Sequence, residues 1–176
     1  MLFGESKEVP LSRPAEHTRE VCFFKPDFFC VHDICRSLDG REHTYEMRLH
    51  LDTLKMKQIT QLPGAWISDF GRRYDILIVP LFPEEVTSCV ISGAEAPSMG
   101  GWFVGRNDQK LHKCSTLTMS ISGKKNCRFA TLLIPLERGD EMPELEKRAG
   151  ESFALRMKGR EYVFSVGELE NFCTVK

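Results

Sequence analysis

The sequence predicts an all-β fold, a two-layer antiparallel β-sandwich of about ten short strands with little helix. Three observations lead there. Apolar residues recur with period two, turn-forming clusters break the chain at short intervals, and no amphipathic segment is long enough to make a stable helix.

In chain order, Arg19 to Phe24 and Phe28 to Ile34 are strand segments separated by the turn Lys25-Pro26-Asp27. His43 to His50 follows the turn cluster Ser37-Leu38-Asp39-Gly40, which makes antiparallel neighbours the simplest outcome. Trp66 to Phe70, Asp75 to Val79 and Val86 to Ile91 come next. In Ser115 to Ile121, Leu117, Met119 and Ile121 alternate with Thr116, Thr118 and Ser120, as a strand with one buried face requires. Ser122 to Asn126 supplies a turn and Cys127 to Ile134 returns as an apolar strand ending at Pro135, so these two segments are expected to form a hairpin. Pro143 to Ala149 is the best helix candidate, with Pro143 suited to a first helical position and Gly150 to the end. Ser152 to Met157 and Tyr162 to Val166, turned by Gly159-Arg160, complete the set. Residues 1–15 are polar, carry Pro10 and Pro14, and are expected to be loosely attached; residues 16–176 read as one domain without repeats or linkers.

The 176 residues, 41% hydrophobic and 28% charged, suit a globular domain with a substantial core rather than a disordered chain. Lys and Arg number 24 against 25 Asp and Glu, and no basic run exceeds a pair such as Arg72-Arg73, so no clustered field is available for nucleic acid. The longest apolar stretch, Ile76 to Phe82, is interrupted by Pro80 and is too short to span a bilayer, which argues against a membrane partner. Met1 to Glu5 lacks the basic head and apolar stretch of a signal peptide. Seven cysteines, odd in number and mostly inside apolar segments, read as reduced core thiols of a cytoplasmic protein, with an exported, disulfide-bonded form as the alternative.

Five histidines form no H-x-H pair, so no complete metal site is legible. Cys30, His32 and Cys35 suggest zinc, but no fourth ligand is apparent and Phe28, Phe29 and Val31 make the segment ordinary core. The nucleophile elbow G-x-S-x-G and a Gly-rich phosphate loop are both absent, and Glu84-Glu85 beside Pro83 reads as solvated surface. The informative strand is 43–50. Alternation puts Thr44, Glu46, Arg48 and His50 on its polar face, with His50 just before Asp52. There His50 is either a metal ligand or part of an anionic-sugar site with Arg48, or an exposed histidine at a strand end; spacing alone favours the last. Trp102, at the end of the Gly- and Pro-containing stretch 92–102, and Trp66 are candidates for stacking on a sugar ring, although tryptophan is more often a packing anchor.

His17-Thr18-Arg19-Glu20-Val21, Phe28-Phe29-Cys30-Val31-His32-Asp33, His43-Thr44-Tyr45 and Leu49-His50-Leu51-Asp52 occur in an order that resembles the C-terminal β-sandwich of heparinase II/III-like polysaccharide lyases. Ser92-Gly93, Gly101-Trp102 and Phe129 to Pro135 look like later landmarks of the same domain. The resemblance implies an α/α-toroid domain missing from this chain, an acidic polysaccharide or oligosaccharide as partner, and β-elimination at a uronic acid. That reaction needs the carboxylate neutralised, the acidified C5 proton removed and the leaving oxygen protonated. The family draws its Tyr, Asn and His for these roles largely from the toroid and from a His-rich segment that would lie upstream. His50 resembles the histidine that closes a strand in the family's metal site, but the H-x-H and Asp co-ligands have no counterpart here. The resemblance therefore implies no catalytic residue and no cofactor in this chain, with zinc reserved for a full-length relative. Near-neutral charge favours a lightly sulfated uronate polymer over heparin. Three functions compete: a non-catalytic domain of a lyase, a free-standing carbohydrate-binding module using Trp66 or Trp102, and a structural or oligomerising domain.

Overall fold

The structure is a computed structural model that describes residues 15–95, 100–105 and 107–167. The expected loose segment 1–15 lies outside the described residues except for Ala15, as does the end of the expected domain beyond residue 167. Among the described residues the chain forms β1 (Ala15–Phe24), β2 (Phe28–Ser37), β3 (His43–Leu51), β4 (Met56–Ile59), β5 (Ala65–Ser68), β6 (Tyr74–Pro80) and β7 (Thr87–Ser92). There follow β8 (Trp102–Val104), β9 (Leu111–Lys113), β10 (Ser115–Lys124), β11 (Asn126–Glu137), β12 (Glu144–Lys147), β13 (Ser152–Met157) and β14 (Arg160–Ser165). No helix among them is long and apolar enough to cross a membrane.

A six-stranded antiparallel sheet, β1-β2-β11-β6-β5-β4, is the centre of the molecule. One face packs on the three-stranded sheet β3-β10-β7 through Val31, Ile78 and Phe129 against Tyr45, Met47, Leu117, Met119 and Ile121. Its other face packs on β12-β13-β14, with Phe28, Leu77, Val79, Leu132 and Ile134 meeting Phe153, Leu155 and Phe164. Burial on both faces explains why 129–134 reads as a nearly unbroken apolar run: odd positions enter one core and even positions the other.

The all-β sandwich is thus present, and a third small sheet covers the side of the main sheet that a two-layer arrangement would leave open. Three expectations need correction. The segments 115–121 and 127–134 do not form a hairpin: β10 pairs with β3 and β7, β11 with β2 and β6, and the turn between them carries the chain from one layer to the next. Pro143 to Ala149 is not a helix, because Glu144–Lys147 pairs antiparallel with β13 and a ladder outweighs the weak propensity of so short a segment. The expected count of strands omits β4, β8, β9 and β12, each of 3 or 4 residues, too short for alternation to register.

His32 sits on β2 at 1% exposure, and burial pushes its imidazole below the ordinary value despite the Glu20 carboxylate 3.7 Å away. A lowered folded-state value means that the unfolded chain binds the proton more tightly, so this contribution is complete above about pH 6.5 and is lost as pH falls towards the folded value. Urea unfolding is expected to show stability falling by up to about 1.4 kcal/mol per pH unit below about pH 6.5, and His32→Gln to flatten that slope. A wild-type protein that becomes more stable on acidification through this range would contradict the assignment.

Candidate functional site

The outer face of β3-β10-β7 joins the polar row of one strand to the threonine row of the next. Register places His50 opposite Thr116 and Arg48 opposite Thr118, while Ile91 lies on the other side of Thr116. Thr116 Oγ1 is 3.0 Å from His50 Nδ1, a hydrogen bond that sets the imidazole ring, and Arg48 Nε donates to Glu46 at 3.0 Å. Thr116 and Thr118 are only 4% and 6% exposed, so this outward face is itself covered.

The cover is the stretch that carries Trp102. After β7 the chain turns back at Gly101, where φ is +71° and an added Cβ would lie 2.6 Å from Gly93 N and Ile91 O. Only glycine tolerates that approach. The Gly101 carbonyl accepts from Gly93 N–H at 3.0 Å and Cys114 N–H at 2.8 Å, tying the start of β8 to the end of β7 and the start of β10. Trp102 Nε1 donates to the Ala94 carbonyl at 3.0 Å, and Lys113 Nζ stands 5.4 Å from the ring centroid. Between cover and sheet runs a groove of about 320 Å³, lined by Arg48, His50, Ile91, Trp102, Thr116 and Thr118 among others.

Three of the residues singled out from sequence, Arg48, His50 and Trp102, therefore meet in one groove. Trp66 is elsewhere. It lies on β5 between two layers, packs on the core beneath the smaller sheet, and donates from Nε1 to Ser88 Oγ on β7 at 3.0 Å. Sequence reasoning missed the threonines as site residues, although their alternation with Leu117 and Met119 already marked them as sharing a face. It also missed Phe103, which lines the groove and stacks on His112 at 5.4 Å. The adjacent Gly100-Gly101 was the available signal for a sharp reversal.

Chemically, the groove offers an aromatic ring, hydroxyls and a guanidinium that matches a carboxylate in two-point geometry. Its described lining contains one imidazole and no tyrosine, asparagine or carboxylate. Among the described residues no group of three or more His, Cys, Asp or Glu side chains could hold an ion, and His50 is surrounded by Thr116, Arg48 and Trp102. Cys30 and Cys35 enter opposite cores of the sandwich, which separates the other suspected ligand set.

Gly101→Ala is expected to displace the cover. In a Trp66→Phe background, Trp102 emission should shift to the red while the β-sheet circular dichroism persists; unchanged emission would show that the close approach is not needed.

Fold and groove together define a class: an all-β sandwich domain whose smaller sheet bears an open groove with an aromatic wall and a cationic edge. No protein-family model and no curated protein matches the sequence. Solved structures do match. The heparan sulfate lyase HepC of Pedobacter heparinus superposes with a TM-score of 0.62 at 13% identity, over 85% of this chain and 23% of that one. A heparinase III described as the BT4657 gene product gives 0.64 at 11% identity, over 85% and 23%. Another heparinase III gives 0.58 at 13% identity, over 91% and 24%. The chain thus has the fold of a heparinase-like β region and spans about a quarter of the length of these proteins.

Proposed function

We propose that this chain is a β-sandwich domain of a heparinase II/III-type polysaccharide lyase, that its groove holds part of a uronic-acid-containing polysaccharide, and that the isolated chain is not catalytic. The observation that carries this reading is the convergence of Arg48, His50 and Trp102 in one groove. Trp102 stacks on the apolar face of a sugar ring, Arg48 pairs with a uronate carboxylate, and His50 with Thr116 serves ring hydroxyls. Among the described residues Arg48 already pairs with Glu46 and Lys113 stands over the aromatic wall, a charge that suits a carboxylate polymer better than a densely sulfated one. An α/α-toroid in the rest of the protein supplies the acid–base groups in this reading, which agrees with the quarter of each matched lyase that the chain spans.

Calorimetric titration with uronate oligosaccharides tests it. Binding is expected, with Trp102→Ala and Arg48→Ala each weakening it about tenfold, equivalent to about 1.4 kcal/mol. The isolated chain is expected to release no unsaturated uronate product. Absence of binding to any uronate oligosaccharide refutes the groove assignment, and turnover by this chain alone refutes the non-catalytic one. A second reading, a free-standing carbohydrate-binding module, draws on the aromatic wall that Trp102 gives the groove. Supplying a toroid domain in trans separates the two: a lyase domain gains affinity from it, whereas a free-standing module does not.

A further inference from the structure

Across the sheet β3-β10-β7 from the groove, on the main-sheet face that packs against it, three strands align three reactive side chains in one row. Cys127 of β11 is directly opposite Cys35 of β2, and Cys35 is directly opposite His17 of β1. In the adjoining row on the same face stand Phe129, Asp33 and Arg19. Asp33 is 2% exposed; His17 Nε2 lies 2.7 Å from its Oδ1, and Arg19 donates to it from Nε at 2.6 Å and from its terminal nitrogen at 2.9 Å. The buried carboxylate thereby fixes an imidazole and a guanidinium beside Cys35. A cleft of about 150 Å³ reaches this corner between β1 and β3, lined by His17, Arg19, Asp33, Cys35 and Tyr45, with Glu46 and Arg48 on the β3 side.

We propose that Cys35 and Cys127 are a redox-active dithiol that a peroxide converts into a cross-strand disulfide. Directly opposite residues of antiparallel strands have Cα atoms about 4.5–5.5 Å apart, within the range of about 4.4–6.8 Å that a disulfide accepts. Both thiols are free and half-buried. The hydrogen bond shared with Cys127, together with the nearby His17 and Arg19, brings the Cys35 thiol down to about 7 and makes it the attacking member. The same hydrogen bond and burial push Cys127 upward.

Cys35 sulfur, as thiolate, attacks one peroxide oxygen. The O–O bond breaks, leaving Cys35 as sulfenic acid and releasing hydroxide, which takes up a proton to become water. Cys127 sulfur then attacks Cys35 sulfur, the S–O bond breaks, and the departing hydroxide leaves as a second water with the Cys127 proton. Two thiols lose two electrons in total and one peroxide becomes two waters. A dithiol reductant reverses the change by exchange.

The fold contains its own control. Cys22 and Cys30 are also directly opposite, on β1 and β2, but Cys30 is 1% exposed and packed among Phe24, Phe28 and Leu132 in the apolar core. Cys89 is exposed on the outer face of the smaller sheet and reports the reactivity of an ordinary thiol.

The test is hydrogen peroxide added to the folded chain, followed by digestion without reduction and mass spectrometry. A Cys35–Cys127 linked peptide is expected, reversed by dithiothreitol, with Cys22 and Cys30 unlinked and Cys35 oxidised faster than Cys89. In Cys127→Ser, Cys35 is expected to accumulate as a sulfenic acid captured by dimedone. His17→Gln should slow Cys35 oxidation about fivefold without changing the β-sheet circular dichroism. Survival of both thiols at a dose that oxidises Cys89, or links joining other cysteines instead, would overturn the proposal. So would undiminished Cys35 reactivity in His17→Gln.

Discussion

Phe28→Ala is expected to lower the unfolding free energy by about 4 kcal/mol, a large share of the roughly 5–15 kcal/mol that holds a typical domain folded. Phe28 opens β2 at 0% exposure. Its ring stacks on Phe24 at 4.4 Å and 10° and meets Tyr162 edge-on at 5.1 Å, so it joins the main sheet to the small sheet β12-β13-β14. The strands on both sides are held by ladders, which leaves the surroundings little freedom to collapse into the void, and the cavity penalty adds to the lost transfer energy. Urea unfolding should show a midpoint lower by at least about 1 M. The neighbour Phe29 supplies the contrast: it points to the opposite face, stacks on Phe23 at 4.2 Å and is 37% exposed, so Phe29→Ala should cost about 1 kcal/mol. Equal losses from the two substitutions would contradict the placement of Phe28 between two layers.

Arg19→Leu is expected to cost about 2–3 kcal/mol, more than Asp33→Asn at about 1 kcal/mol, although Arg19 is the more exposed partner. The asymmetry follows from what each change leaves behind. Without Arg19, the Asp33 carboxylate at 2% exposure loses both guanidinium hydrogen bonds and is left facing His17. Without the carboxylate charge, His17 and Arg19, with side chains 53% and 48% exposed, return to water at little cost. The figure for Arg19 stays below the range of about 3–5 kcal/mol for fully buried pairs because solvent screens its outer half. In the double variant the losses should be less than additive, since the stranded charge is gone. Denaturant unfolding of the three variants checks this, and an Arg19→Leu loss within about 0.5 kcal/mol would place the pair among ordinary surface salt bridges.

Much of the architecture was legible in the chain. The alternation of Leu117, Met119 and Ile121 with Thr116, Thr118 and Ser120 identified a strand with two unlike faces, and Thr44, Glu46, Arg48 and His50 marked the polar face of another. The structure pairs those strands and places the two polar rows side by side, so the sheet half of the groove was already encoded. Its cover was not. Trp66 and Trp102 are the same residue type, each flanked by turn-rich sequence, yet one bridges two layers through Ser88 and the other walls the groove. No local pattern separates them. The reactive row escaped for the same reason: Cys127, Cys35 and His17 are far apart in sequence, and only strand order aligns them.

Side-chain periodicity by itself determined the all-β class, most strand positions and which residues of each strand share a face, because a strand's two faces alternate whatever lies opposite. Tertiary structure alone decided which strands are neighbours, that successive strands β10 and β11 belong to different layers, and that Glu144–Lys147 is strand rather than helix. The physical reason is that burial on each face is recorded in the residue itself, whereas the partner that provides it is chosen by the combined packing of distant segments.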